Sequence, residues 1–91
     1  MEKKVIVSEK SPAAIGPYSQ AIEYNGIVYT SGVIGVNPAT GEVGETIEEQ
    51  TTQVFENLKG LLADAGSSLD QAITTTVFIT NMDDFAKVNE I

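Results

Sequence analysis

The side chains of this sequence that could do chemistry are few and mostly uncharged. Tyr18 follows a Pro/Gly loop, Ser31 precedes Gly32, and Asn81 and Asn89 flank the acidic pair Asp83-Asp84. A tyrosine hydroxyl beside a cleft can orient a substrate or a water. A serine followed by glycine offers a ligand a hydroxyl and a backbone amide that can be approached closely. Each position also has a plain structural reading. An aromatic at the start of a strand packs against its neighbours, and Ser31 as a nucleophile has no histidine base. Asn81 suits a turn or helix cap and Asn89 a solvated helix face. Adjacent carboxylates at a helix start serve more readily as caps and dipole partners than as metal ligands, so no metal site is expected.

The residue types that are missing narrow the chemistry further. The chain has no Cys, His, Trp or Arg, and its five positive charges are Lys3, Lys4, Lys10, Lys59 and Lys87. That inventory excludes, within one chain, thiol nucleophiles, disulfides, Cys/His zinc sites, histidine bases and Ser-His-Asp triads. A net charge of -8 argues against nucleic acid, whose phosphates are bound by clustered Lys and Arg. At 91 residues, 42% of them apolar and 20% charged, the chain fits one folded domain with one core. No apolar run approaches the roughly 18 residues that cross a bilayer, and Val5 to Val7 is too short for a signal-peptide core. A cytoplasmic location and no membrane contact are the expectation.

The elements that must position these residues follow from local pattern. After a short apolar-polar stretch from Lys4 to Ser8, the run Ser11-Pro12-Ala13-Ala14-Ile15-Gly16-Pro17 forbids helix and central strand and reads as an ordered loop. Tyr18 to Tyr24 and Ile27 to Ile34 are rich in aromatic and β-branched residues, and Asn25-Gly26 between them suits a type I′ turn, which predicts a hairpin. With Tyr24 opposite Ile27, Ile22 faces Tyr29, Gln20 faces Ser31 and Tyr18 faces Val33, so Tyr18 and Ser31 share a face near the open end. Asn37-Pro38-Ala39-Thr40-Gly41 is a turn.

Thr46 and Glu49 have capping-box spacing, and Ile47, Val54, Phe55, Leu58, Leu61, Leu62 and Ala65 recur at helical intervals until Gly66, which predicts one helix over Thr46 to Ala65. Ile73 to Thr80 alternates branched residues with threonine and phenylalanine and reads as a strand. Following a long helix, it should lie parallel to an earlier strand through a right-handed crossover. Asn81-Met82-Asp83-Asp84 opens a second helix with Phe85, Val88 and Ile91 on one face and no stop signal, so further polypeptide or another chain is expected to cover it. The architecture is α+β, with helices on one face of a sheet.

The order Ala13-Ala14-Ile15-Gly16-Pro17-Tyr18-Ser19-Gln20-Ala21, Tyr29-Thr30-Ser31-Gly32, Asn37-Pro38 with Thr40-Gly41, Gln50-Thr51-Thr52, Asn57-Leu58, Ala65-Gly66, Thr75-Thr76-Val77-Phe78, Asp84-Phe85 and Val88-Asn89 closely resembles the reactive intermediate deaminase family, RidA or YjgF. The resemblance implies a chorismate-mutase-like α+β fold with a mixed sheet, here spanning residues 1–91 as a single domain that lacks the C-terminal part of the fold. It implies a barrel-like homotrimer with a ligand cleft at each interface between subunits. It implies hydrolysis of enamines and imines such as 2-iminobutanoate and 2-iminopropanoate to 2-oxo acids and ammonia, with no cofactor. Tyr18 is then the residue that orients substrate or water, and Ser31, Gly32, Phe85 and Asn89 line the substrate site.

One departure bears on activity. The family holds its substrate carboxylate with an arginine and orients water with a glutamate, both in C-terminal strands with no counterpart here, and this chain has no arginine. A lysine supplies charge without the planar bidentate fork, and none of the five lysines matches that place. The chain as written is therefore expected to be inactive. A non-catalytic trimeric module that binds small metabolites or a protein partner is the alternative. A translation inhibitor or ribonuclease, as some relatives are described, is the least favoured reading for so acidic a chain.

Overall fold

Residues 2–91 are described by a computed structural model, which places strands β1 (Lys4–Ile6), β2 (Ala21–Tyr24) and β3 (Ile27–Thr30) before helices α1 (Ile47–Asp64) and α2 (Phe85–Glu90). Asn25 and Gly26 both take positive φ, 55° and 81°, the backbone a type I′ turn requires. They fold β2 onto β3 in the expected register, with Tyr24 opposite Ile27 and Ile22 opposite Tyr29. The ladder is shorter than the sequence pattern, but beyond it the Ser31 amide still donates to the Gln20 carbonyl at 3.0 Å. Tyr18 does not continue the strand opposite Val33. Its amide instead donates to the Gly16 carbonyl at 2.9 Å, closing a tight turn behind Pro17. The Lys4 to Ser8 stretch contributes β1, antiparallel to β2 with Ile6 opposite Ala21, giving the order β1-β2-β3.

Helix α1 begins and ends as its sequence dictates. The Thr46 hydroxyl accepts from the Glu49 amide at 3.1 Å, and the Glu49 carboxylate accepts in return from the Glu45 amide at 3.1 Å. At the other end Gly66 takes φ of 78°, and Ser67 and Gly66 donate to the carbonyls of Leu62 and Ala63. Thr46 and Ala65 are thus the caps rather than helical residues. Ile6, Ala21 and Leu61 are buried together, with Val28, Val33 and Ala65 packed against them, so α1 covers one face of the sheet. On the other face Val5 and Tyr29 stay exposed.

Two details hold the chain that follows β3 against α1. Buried Asn57 donates to the carbonyls of Ile34 and Val36 at 3.0 and 2.8 Å and accepts from Gln53. Gly35 approaches so closely that a Cβ there would lie 2.7 Å from the Gln50 carbonyl oxygen. The Asn37–Gly41 segment then turns as expected, with the Gly41 amide donating to the Asn37 carbonyl at 2.7 Å.

The α+β class holds, with one correction. Ile73 to Thr80 forms no strand, so the parallel member of the expected mixed sheet and its crossover are not formed, and the sheet among the described residues is antiparallel throughout. Most of its side chains find no cover, with Phe78 at 92% and Ile73 at 82% exposure and Ile79 alone partly buried. Alternation gives a segment two faces but no hydrogen-bonding partner, and none of the described residues supplies one. Beyond it, the Asn81 side chain accepts from the Asp83 amide at 3.0 Å, the cap its type suggests, and α2 packs beside α1.

Candidate functional site

The Ser11 to Pro17 loop and the segment leaving β3 face each other across a small cleft of about 170 Å³. Tyr18, Ser31 and Gly32 line it, above an apolar floor that includes Val33, Ile34 and Leu61. Tyr18 is half exposed, and its hydroxyl accepts from the Ile15 amide at 3.4 Å, across the turn in which Gly16 takes φ of 137°. That positive φ is open to glycine and strained for other residues, so Gly16 fixes how Tyr18 leaves the loop. The Ser31 hydroxyl donates to the Gln20 carbonyl at 3.1 Å, which commits its proton and leaves its oxygen able to accept. The backbone at Gly32 is open, since a Cβ there would meet nothing within 4 Å. On the β1 side of Tyr18 lies a wider depression of about 740 Å³, lined by Val5, Val7, Ala14 and Pro38 among others.

Gln20 is the polar centre behind this cleft. It is 7% exposed. Its side-chain oxygen accepts from the Ser8 amide at 2.8 Å, and the two hydrogens of its side-chain nitrogen are shared among the carbonyls of Ser8, Ser11 and Pro12 at 3.0, 3.2 and 2.8 Å. Sequence reading placed Gln20 opposite Ser31 and within the family-like run Ala13 to Ala21, and gave it no role of its own. Its signal was a long uncharged polar chain next to a loop whose carbonyls have no ladder to join. Ser8 carries the network onward, its hydroxyl donating to Asp64 at the end of α1, where Lys10 also reaches the carboxylate at 3.2 Å. The hydrogen bond from Ser8, followed by that from Lys10, holds the Asp64 carboxyl below its ordinary pKa.

The remaining expected site residues stand apart from the cleft. Phe85 and Asn89 lie exposed on α2 and line neither depression of this chain. Among the described residues no group of three Asp or Glu side chains is placed to hold a metal ion, and no helix is long and apolar enough to cross a membrane.

Comparison with known proteins adds what one chain cannot. The profile of the family described as Endoribonuclease L-PSP matches residues 8–91. A chloroplastic Arabidopsis thaliana protein named Reactive Intermediate Deaminase A is 45% identical over 92 residues, which takes in all of this chain and 49% of that protein. The chain belongs to the reactive intermediate deaminase family. Family membership extends to the fold: a Yersinia pestis protein of the conserved Rid family superposes with a TM-score of 0.94 at 49% identity, covering 98% of this chain and 71% of its own. A second family structure, Escherichia coli TdcF with bound serine, superposes at 0.92 with 42% identity, covering 96% of this chain and 68% of its own.

Proposed function

We propose that this chain carries one RidA-like domain, cytoplasmic and without cofactor, whose cleft serves the hydrolytic deamination of 2-imino acids such as 2-iminobutanoate and 2-iminopropanoate. The observation that carries the reading is the meeting of Tyr18, Ser31 and Gly32 around one small cleft with an apolar floor. Water adds to the imine carbon, the carbon–nitrogen bond breaks, and a 2-oxo acid and ammonia leave. The imine carbon is already electrophilic, so the site has only to hold the substrate, exclude bulk water and orient one water molecule. Tyr18 would orient substrate or water, the Gly32 amide would donate to the ligand, and the Ser31 oxygen would accept. Phe85 and Asn89, exposed on α2, would reach such a cleft from a neighbouring copy in a homotrimer, with the 2-imino or 2-oxo acid held between subunits.

No arginine is available among these 91 residues to pair with a substrate carboxylate. The chain by itself is therefore expected to leave the spontaneous hydrolysis of freshly generated 2-iminobutanoate unchanged, as followed by the appearance of 2-oxobutanoate. Hydrolysis above the buffer rate, lost on Tyr18→Phe, would overturn that expectation of inactivity. A second reading is a non-catalytic trimeric module that binds small metabolites or a protein partner. Titration of the chain with 2-oxobutanoate separates the two from a chain that binds nothing. A ribonuclease or translation-inhibitor role has the net charge of -8 and the lack of His and Arg against it.

A further inference from the structure

We infer that Gln20 is the positioning residue of the cleft, setting the separation of its two walls through one side chain and one carbonyl; the inference rests on the reading of this cleft as the substrate site. The side-chain amide spends its capacity inside the protein, taking the Ser8 amide on its oxygen and aiming its nitrogen at the carbonyls of Ser8, Ser11 and Pro12. Those groups lead into a loop with few hydrogen bonds of its own, because Pro12 and Pro17 lack N–H donors and Gly16 breaks any regular run, leaving only the Tyr18 amide on Gly16 and the Ile15 amide on the Tyr18 hydroxyl. The opposite wall hangs on the same residue, since both the amide and the hydroxyl of Ser31 donate to the Gln20 carbonyl, at 3.0 and 3.1 Å. Tyr18 sits two residues before it, on the backbone that joins the walls. The Ser8 end is tied in turn to α1 through Asp64. One buried residue therefore determines where Tyr18 and Ser31 stand relative to each other.

A residue that only fills space tolerates an apolar side chain of the same length, whereas a positioning residue depends on the polarity of each atom. Gln20→Met keeps the length and removes every polar group. Gln20→Glu keeps the acceptor for Ser8 and sets a carboxylate against three carbonyls. The expected result in NMR of the whole chain is that Gln20→Met shifts the amides of Ala13, Ser31 and Gly32 while α1 keeps its protection. Exchange of the Ser8 amide should become about tenfold faster, the equivalent of one net hydrogen bond. Gln20→Glu should resemble Gln20→Met near neutrality and return toward the parent on acidification, as the introduced carboxyl regains a proton to donate.

The ionisable groups nearby are Glu9, Lys10, Tyr18 and Asp64, and the parent chain followed in parallel gives their contribution. Cleft shifts unchanged in Gln20→Met, or a Gln20→Glu profile no different from the parent's, would overturn the inference. Should Gln20→Met fail to fold, the pH profile of Gln20→Glu decides alone. Failure of the substrate reading shows separately, as an absence of 2-oxobutanoate shifts at Tyr18, Ser31 and Gly32 in the parent chain, with the response to the Gln20 substitutions intact.

Discussion

The Ala21–Thr30 hairpin and the Ile73–Thr80 segment carry similar side chains, branched and aromatic residues in near alternation, and they differ in what lies next to them. In the hairpin, Asn25 and Gly26 bring a partner strand back within two residues, β1 pairs on the far side, and α1 closes over Ala21 and Val28. The later segment follows the end of α1 and a short turn at Leu69–Gln71, neither of which folds a partner onto it, and all its side chains but the partly buried Ile79 remain in solvent. Strand propensity is a preference for a pleated, half-buried surface, realised only where neighbours supply hydrogen bonds and cover. The same contrast separates the candidate site residues. Tyr18, Ser31 and Gly32 are gathered by the paired half of the molecule, and Phe85 and Asn89 are carried by the half that packs least.

The contrast breaks most readily at Leu61, 1% exposed, where α1 meets Ile6 and Ala21. Leu61→Ala removes about 2–5 kcal/mol by the usual cost of a buried leucine, a large share of what holds so small a core. Urea unfolding should show the midpoint of the hairpin signals falling with that of α1. If the hairpin outlives the helix, cover by α1 is not what distinguishes it from residues 73–80. A smaller loss is expected of Gly26→Val, which forces a β-branched side chain to φ of 81°. It should cost about 1–2 kcal/mol in the same measurement, and if the turn is what supplies the partner, weakened exchange protection should appear first in β3.

How far the sequence could be read follows the same division. Where the determinant is local, the residues announce it: Asn25-Gly26 for the turn, Thr46 with Glu49 for the helix start, Gly66 for its end. Where the determinant is a distant partner, they do not. Tyr18 reads as the start of a strand until its amide is seen to turn back on Gly16, and Gln20 reads as an ordinary strand residue until Ser8, Ser11 and Pro12 are found around it. Asn57 could have been suspected, as a polar residue within the apolar stripe of Val54, Leu58 and Leu61 that needs a buried partner. Its actual partners, the carbonyls of Ile34 and Val36, lie more than twenty positions away in the chain and carry no side-chain signature.

The Ser8–Asp64–Lys10 tie sharpens the comparison with a pH-dependent effect, because it anchors the paired half and has no counterpart at residues 73–80. The Asp64 pKa is lowered in the folded chain by the Ser8 hydrogen bond first and the Lys10 contact second. A depressed carboxyl contributes its stabilisation above the unfolded-state pKa and loses it as pH falls through the folded value. The Tm difference between the parent and Asp64→Asn should therefore be present near neutrality and shrink as acid titrates Asp64. An equal difference throughout would mean that the substitution acts by shape alone.

The smallest effect is expected of Phe78→Ser, and that smallness is what makes it informative. Phe78 is 92% exposed, so removing its ring deprives no neighbour of a contact and leaves no cavity. For a single chain in dilute solution the change should stay within about 0.5 kcal/mol, as is usual for exposed positions, with the same urea midpoint as the parent. Concentration sets the direction of any departure. A destabilisation that grows as the protein is concentrated would mean that Ile73–Thr80 acquires its missing neighbour by association, and the two strand-like regions would then differ only in whether the partner comes from the same chain. A destabilisation independent of concentration would mean instead that the segment already packs within one chain, and the distinction drawn between it and the hairpin would fail.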